Sequence, residues 1–315
     1  MNSGSHTHSH GHSHGSPKGK NLILAFGLNL FITVAEVIGG LLSNSIALLS
    51  DAVHNLGDTI AILLAYIANI MGRKNANERK TFGYKRVEIL SALLNAVVLI
   101  TIMVFLFVEA IKRFQSPEPI RGMIMFWVAL AGLIANLAAV ALLRKDSRHN
   151  LNIKSAYLHL LGDTISSVAV IAGSVLIWFF EIYWIDPVVT IIVGIYILKE
   201  AFMVLKETVD ILMQSTPSSI DIVKVVKEIE SNREVNNVHH VHAWQMSDSQ
   251  IHFECHVDIV NDLTLSKADK LRSKLEADLF KNFGISHVTI QFEFNCCDEK
   301  SVIHESGVEH HHHHE

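Results

Sequence analysis

Charged side chains are scarce in this 315-residue chain: Asp, Glu, Lys and Arg make up 18%, against 50% hydrophobic residues, and the mean hydropathy is +0.31. That apolar excess is hard to place in a soluble domain, and it is concentrated in the first two thirds of the chain. Cysteine is scarcer still, with Cys255, Cys296 and Cys297 all in the polar C-terminal part. An odd, sparse set argues against a disulfide framework and for a reducing compartment. The first twenty residues are polar and His-rich and lack an apolar h-region, so no secretory signal peptide is expected. The net charge of −5 says little about partners, because the charges are segregated by region.

What the chain does have is long apolar runs. Six segments approach the roughly 20 residues needed to cross a bilayer: Leu22–Leu42, Ile46–Met71, Val87–Ile111, Met123–Leu143, Ile153–Phe180 and Ile185–Met213. Only Ser43-Asn44-Ser45 separates the first two, which predicts a tight helical hairpin. Lys and Arg in the loops set the orientation. One side carries Lys18, Lys20, Arg73, Lys74, Arg79, Lys80, Lys85, Arg86, Arg144, Lys145, Arg148 and Lys154; the other carries Lys112, Arg113 and Arg121. Twelve against three places both termini in the cytoplasm.

Two of these runs contain near-copies of one short stretch, 105 residues apart. Ser50–Ile60 reads SDAVHNLGDTI and Ser155–Ile165 reads SAYLHLLGDTI, identical at seven of eleven positions. Each holds a His and an Asp at i, i+4: His54 with Asp58, and His159 with Asp163. On a helix each pair shares one face, about one turn apart. Ionisable groups deep in a bilayer are costly unless they pair, line a watery cavity or bind an ion. Two His and two Asp also make a natural tetrahedral shell for zinc. The alternative, a hydrogen-bond network gluing packed helices, explains one such pair as well as a metal does, and two near-identical pairs less well. Asp51, one turn earlier, is either a support or access group for this site or an interfacial helix-end carboxylate. Asn29, Asn95 and Asn136 fit helix–helix hydrogen bonding; Glu36 fits that role or a lining of the ion route.

After Gln214 the composition changes. Ser215-Thr216-Pro217 reads as a boundary into a helix capped by Ser218 or Ser219, with Ile222, Val225, Val226 and Ile229 on its apolar face. Two alternating strands follow, Val238–Met246 and Gln250–Val260, with Asp248-Ser249 as a hairpin turn; then a helix over Ser266–Phe283 and a strand over Val288–Phe294. The expected fold is thus an α-helical membrane protein of six transmembrane helices with a C-terminal cytoplasmic α+β domain of order α-β-β-α-β. Its divisions are a His-rich tail over 1–20, membrane domain 21–214, cytoplasmic domain 215–298 and a tail over 299–315. In the cytoplasmic domain His240 and His242 share a strand face, as do His252, Glu254, His256 and Asp258, and Gln291 and Glu293. These are a second metal cluster or solvated sheet residues. Cys296-Cys297 form an intermolecular zinc site or a free surface pair. The run at His6, His8, His10, His12 and His14 collects borderline metals or is partly an added, non-native stretch, and His310–His314 collects metals likewise or is a purification tag, which it resembles more closely.

The stretches SIALLSDAVHNLGD (Ser45–Asp58), FGYKRVEILSALLN (Phe82–Asn95), HLLGD (His159–Asp163) and VHAW (Val241–Trp244) resemble the cation diffusion facilitator family, in its zinc-selective branch. The resemblance runs from Leu22 to Phe294. It implies a homodimeric exporter in a bacterial inner membrane that exchanges cytoplasmic zinc for protons by alternating access. Its partners would be zinc ions, protons and membrane lipid, with no nucleic acid. The resemblance puts the transport site on His54, Asp58, His159 and Asp163, and cytoplasmic zinc on His242, His256 and Glu293. The loop from Gly72 to Glu78 lacks His and Cys, so the metal site some members carry there is not expected. Two rivals stand beside this reading. A membrane metallohydrolase would need an open zinc position, which a closed His2Asp2 shell does not leave; a non-transporting zinc sensor would make the soluble domain the active part.

Overall fold

The computed structural model describes residues 19–72, 76–143, 151–247, 250–294 and 301–302; excepted are the side chains at 19–26, 62, 65, 66, 68, 69, 72, 142, 143, 151–156, 158 and 159. Both His-rich runs, Cys296, Cys297 and the Asp248-Ser249 turn lie outside the described residues.

Every expected apolar run is a helix: α1 (Gly19–Ser43), α2 (Ile46–Gly72), α3 (Val87–Gln115), α4 (Gly122–Leu143), α5 (Leu151–Phe180) and α6 (Ile185–Leu212). Among the described residues, α3, α6 and the segments Gly122–Ala141 and Leu160–Phe180 are long and apolar enough to cross a membrane; Gly27–Ser43 of α1 is a shorter apolar helix. Large apolar side chains such as Phe31, Phe105, Ile165 and Phe179 are exposed on these helices. Exposed apolar surface of that kind suits lipid and not water.

The chain divides into two compact units, Met1–Ile60 with Val98–Glu200, and Ala61–Val97 with Ala201–Glu315. In the first, α4 packs on both α1 and α5. Ala47, Leu48, Met125, Ala129, Val170 and Ile177 form one buried cluster there, and Met103, Val193 and Ile197 another. The α1–α2 hairpin turns at Asn44, whose φ of 60° is left-handed. Arg113 holds that turn: its Nη1 donates to the Asn44 carbonyl at 2.6 Å and its Nη2 to Asn44 Oδ1 at 3.0 Å. The first turn of α2 is closed from a distant part of the sequence. Asp186, fully buried, accepts from Ser45 Oγ at 2.5 Å, Ile46 N at 2.8 Å and Ala47 N at 3.3 Å. A carboxylate there satisfies orphan N–H groups and complements the helix dipole.

The second unit holds the α+β part: α7 (Ile222–Glu230), β1 (Val235–Ser247), β2 (Gln250–Ile259), α8 (Leu265–Phe283) and β3 (His287–Glu293). The order is the expected one. The sheet runs β1-β2-β3, with β1 antiparallel and β3 parallel to β2. Its core joins Val225, Val226 and Ile229 to Val238, Phe253, Val257, Leu271, Leu275 and Leu279. The helix cap is not Ser218 or Ser219 but Asp221, whose side chain accepts from Lys224 N; the chain from Pro217 to Ile220 first makes a turn of its own, with Ile220 N donating to the Pro217 carbonyl. The loop after α2 also lies against the sheet. Phe82 meets the His252 ring edge-on at 5.6 Å, Lys85 Nζ donates to Gln250 Oε1, and Arg86 Nη2 lies 3.9 Å from Met246 Sδ.

Candidate metal centres

The repeated stretches fall on α2 and α5, as their spacing requires. Each has a glycine just before its Asp, and each glycine lets a neighbouring helix come close. A Cβ on Gly57 would lie 3.3 Å from Leu99 of α3, and one on Gly162 would lie 2.7 Å from the Tyr196 hydroxyl of α6. His54 Nε2 lies 3.2 Å from Asp163 Oδ1 and 3.7 Å from Asp58 Oδ2. One ligand atom from each of the three falls within 4.8 Å of the others, a spacing that one metal ion can bridge. His54 and Asp163 are buried, while Asp58 keeps 26% of its side chain exposed and marks the open side. His159 lies on α5 one turn before Asp163, but its side chain is outside the described residues. Asp51 is buried on the same helix as His54 and accepts from Ser166 Oγ of α5 at 2.6 Å. Asp51 therefore cross-links α2 and α5, the two helices that carry the repeated stretches.

A second cluster lies in the α+β part. Glu293 Oε1 is 2.8 Å from His256 Nδ1, and Glu293 Oε2 is 3.1 Å from His239 Nε2. Asn237 Oδ1 lies 3.2 Å from the other ring nitrogen of His239, and Gln291 Nε2 donates to Glu293 at 2.8 Å. Of the residues implied by resemblance, His256 and Glu293 are brought together and His242 is not. His242 is exposed and pairs with Glu254 across the sheet, lining a cavity with Gln214, Thr216 and Trp244. Between the two pairs lies a bulge in β1, a register shift between His239 and His242, with His240 at φ 52°. One extra residue there puts His239 opposite His256, where an unbroken register from the His242–Glu254 pair would put His240. The remaining ring, His240, stacks on His256 at 4.6 Å and meets His242 at 5.1 Å. The sequence pointed to a strict period of two and missed His239; a non-glycine left-handed residue inside a strand has no local sequence signal.

Comparison with known proteins bears on both clusters. Residues 22–213 match the cation efflux transmembrane domain, and residues 217–294 match the cytoplasmic domain of cation efflux proteins. The chain belongs to the cation efflux family. It is a multi-pass membrane protein of a transporter family, not an enzyme, and its α+β part is the family's cytoplasmic domain. It is 38% identical over 301 residues to the cadmium, cobalt and zinc/H(+)-K(+) antiporter of Bacillus subtilis, covering 93% of this chain and 96% of the relative. It is 40% identical over 286 residues to zinc transporter ZitB of Pectobacterium atrosepticum, covering 90% and 88%. To ZitB of Escherichia coli it is 37% identical over 315 residues, covering 98% of both.

Proposed function

We propose that this cation efflux protein exports zinc from the cytoplasm in exchange for protons, by alternating access at His54, Asp58, His159 and Asp163. The observation that carries the reading is the convergence of His54, Asp58 and Asp163 inside the apolar helices. Imidazole in half of a four-ligand shell favours zinc over magnesium or calcium, which take oxygen. Zinc needs neutral imidazole and ionised carboxylate, so loading releases protons and reprotonation expels the metal. The same chemistry therefore couples the two fluxes. Relatives named for zinc, cadmium and cobalt antiport support this substrate class.

We further assign residues 21–214 to transport and 215–298 to regulation and homodimer formation, in a bacterial inner membrane. A regulatory zinc on His239, His256 and Glu293 fits the geometry of the cytoplasmic domain, with His242 opposite Glu254, two residues along β2 from His256. The deciding experiment is zinc flux into proteoliposomes under an imposed pH gradient. Asp58→Ala and Asp163→Ala should each abolish flux in a folded protein, because each removes an anionic ligand from a dehydrated dication. Wild-type flux in either variant would take that residue out of the site.

A further inference from the structure

Glu36 lies on α1 among apolar helices and is 1% exposed. Its Oε2 accepts from Asn55 Nδ2 at 2.8 Å, but its Oε1 has no partner. That oxygen points at α4 where α4 has no side chain: a Cβ on Gly132 would lie 2.7 Å from it. The charged groups acting on Glu36 are Asp51 and Asp163, both acidic, so neither neutralises it. A carboxylate so placed in a membrane needs a proton or a cation.

Its surroundings have the same deficit. Asn55 Oδ1 and Asn29 Oδ1 are also buried without a partner. The amide orientations follow from the neighbours: Asn29 Nδ2 donates to the Asn55 carbonyl at 3.4 Å and to Thr59 Oγ1 at 3.2 Å, and turning it round would set oxygen against oxygen. Asn55 Nδ2 is fixed in the same way by Glu36. Glu36 Oε1, Asn55 Oδ1 and Asn29 Oδ1 are therefore all acceptors. Asn55 is held against the Glu36 carboxylate, and acceptors that lack only a donor there are satisfied by a positive ion.

We propose that Glu36, with the side-chain carbonyl of Asn55, forms a second cation position in the membrane, holding one positive charge on oxygen alone. The occupant is a proton or an alkali-metal ion, and it acts as counter-ion to the metal cargo. The donor set separates the two positions: the His54 cluster offers nitrogen and suits zinc, whereas this one offers a single carboxylate and a neutral oxygen and suits a hard monovalent ion. The counter-ion role rests on the export reading; the site itself does not.

Full-length protein in proteoliposomes tests it. Zinc flux is driven in one arm by a pH gradient at equal potassium, and in the other by a potassium gradient at equal pH. Glu36→Gln should lower one arm about tenfold, within the usual range of coupling between distinct sites. Loss in the pH arm identifies a proton; loss in the potassium arm identifies the alkali ion. Wild-type behaviour in both arms overturns the proposal. Gly132→Ala places a methyl in front of Oε1 and should give the same loss. On the unmodified protein, dicyclohexylcarbodiimide labelling of Glu36, read by peptide mass spectrometry, should fall as pH or potassium rises. Labelling of Glu36 that is absent or responds to neither also overturns it. Wild-type zinc–zinc exchange needs no counter-ion gradient, so its absence would count against the export reading alone.

Discussion

Single residues here differ sharply in how much their chemistry is used. Cys255 faces the core of the sheet, and burial, aided by the nearby Glu254 charge, pushes its thiol up to about 12. Reactivity follows the thiolate, so Cys255 should stay unmodified by iodoacetamide at pH 8 in the folded protein and react once it is denatured, as peptide mass spectrometry would show. The histidines of β1 offer a finer distinction. If the metal is held by His239, His256 and Glu293, then His239→Ala should remove most of the zinc-dependent thermal stabilisation of the full-length protein beyond that of the membrane site. His242→Ala should leave most of it in place. The reverse order would mean that the bulge does not set the ligand. His54, Asp58 and Asp163 were legible in the sequence because the motif occurs twice and helical spacing is regular. His239 was not, because a strand with one extra residue loses its period without changing its composition.

Elements were legible for a related reason. A run of some 20 apolar residues admits few structures in lipid, and α1 to α6 begin and end within a few residues of the expected limits. What closes those helices was hidden. Asp186 caps α2 although about 140 residues separate them, and nothing around Asp186-Pro187 announces a partner. Removing a capping oxygen costs about 1 kcal/mol, and up to 2 in well-ordered sites. Asp186→Ala should therefore lower the Tm of the detergent-solubilised protein by several degrees. Asp186→Asn, which keeps an acceptor, should lose less. Equal losses in the two would mean that charge, and not the hydrogen bonds, holds the end of the helix.

For the molecule as a whole, acidity acts away from the metal sites as well as at them. Burial holds the His252 imidazole below its ordinary value, and His287 and Lys85 push it the same way. The folded protein thus favours neutral His252, and the unfolded chain binds the proton more readily. The stabilisation is complete above about pH 6.5 and is lost as pH falls through the depressed native value. Phe82 and Lys85 of the α2–α3 loop share this corner. Hydrogen exchange over residues 76–86 should accordingly speed up on acidification beyond its intrinsic pH dependence, and His252→Phe should remove that excess. An unchanged pH response in that variant would assign it to another group. The Asp186 clamp also has a mechanical meaning. A helix pinned at its first turn can swing but not slide, so α2 is a lever with its fulcrum at Ile46. His54 sits about 12 Å along it and Asp58 about 18 Å. A swing of about 10° carries the farther ligand about 3 Å and the nearer one about 2 Å. If the proposed shell forms, such a swing opens it first at Asp58, which is more exposed than His54.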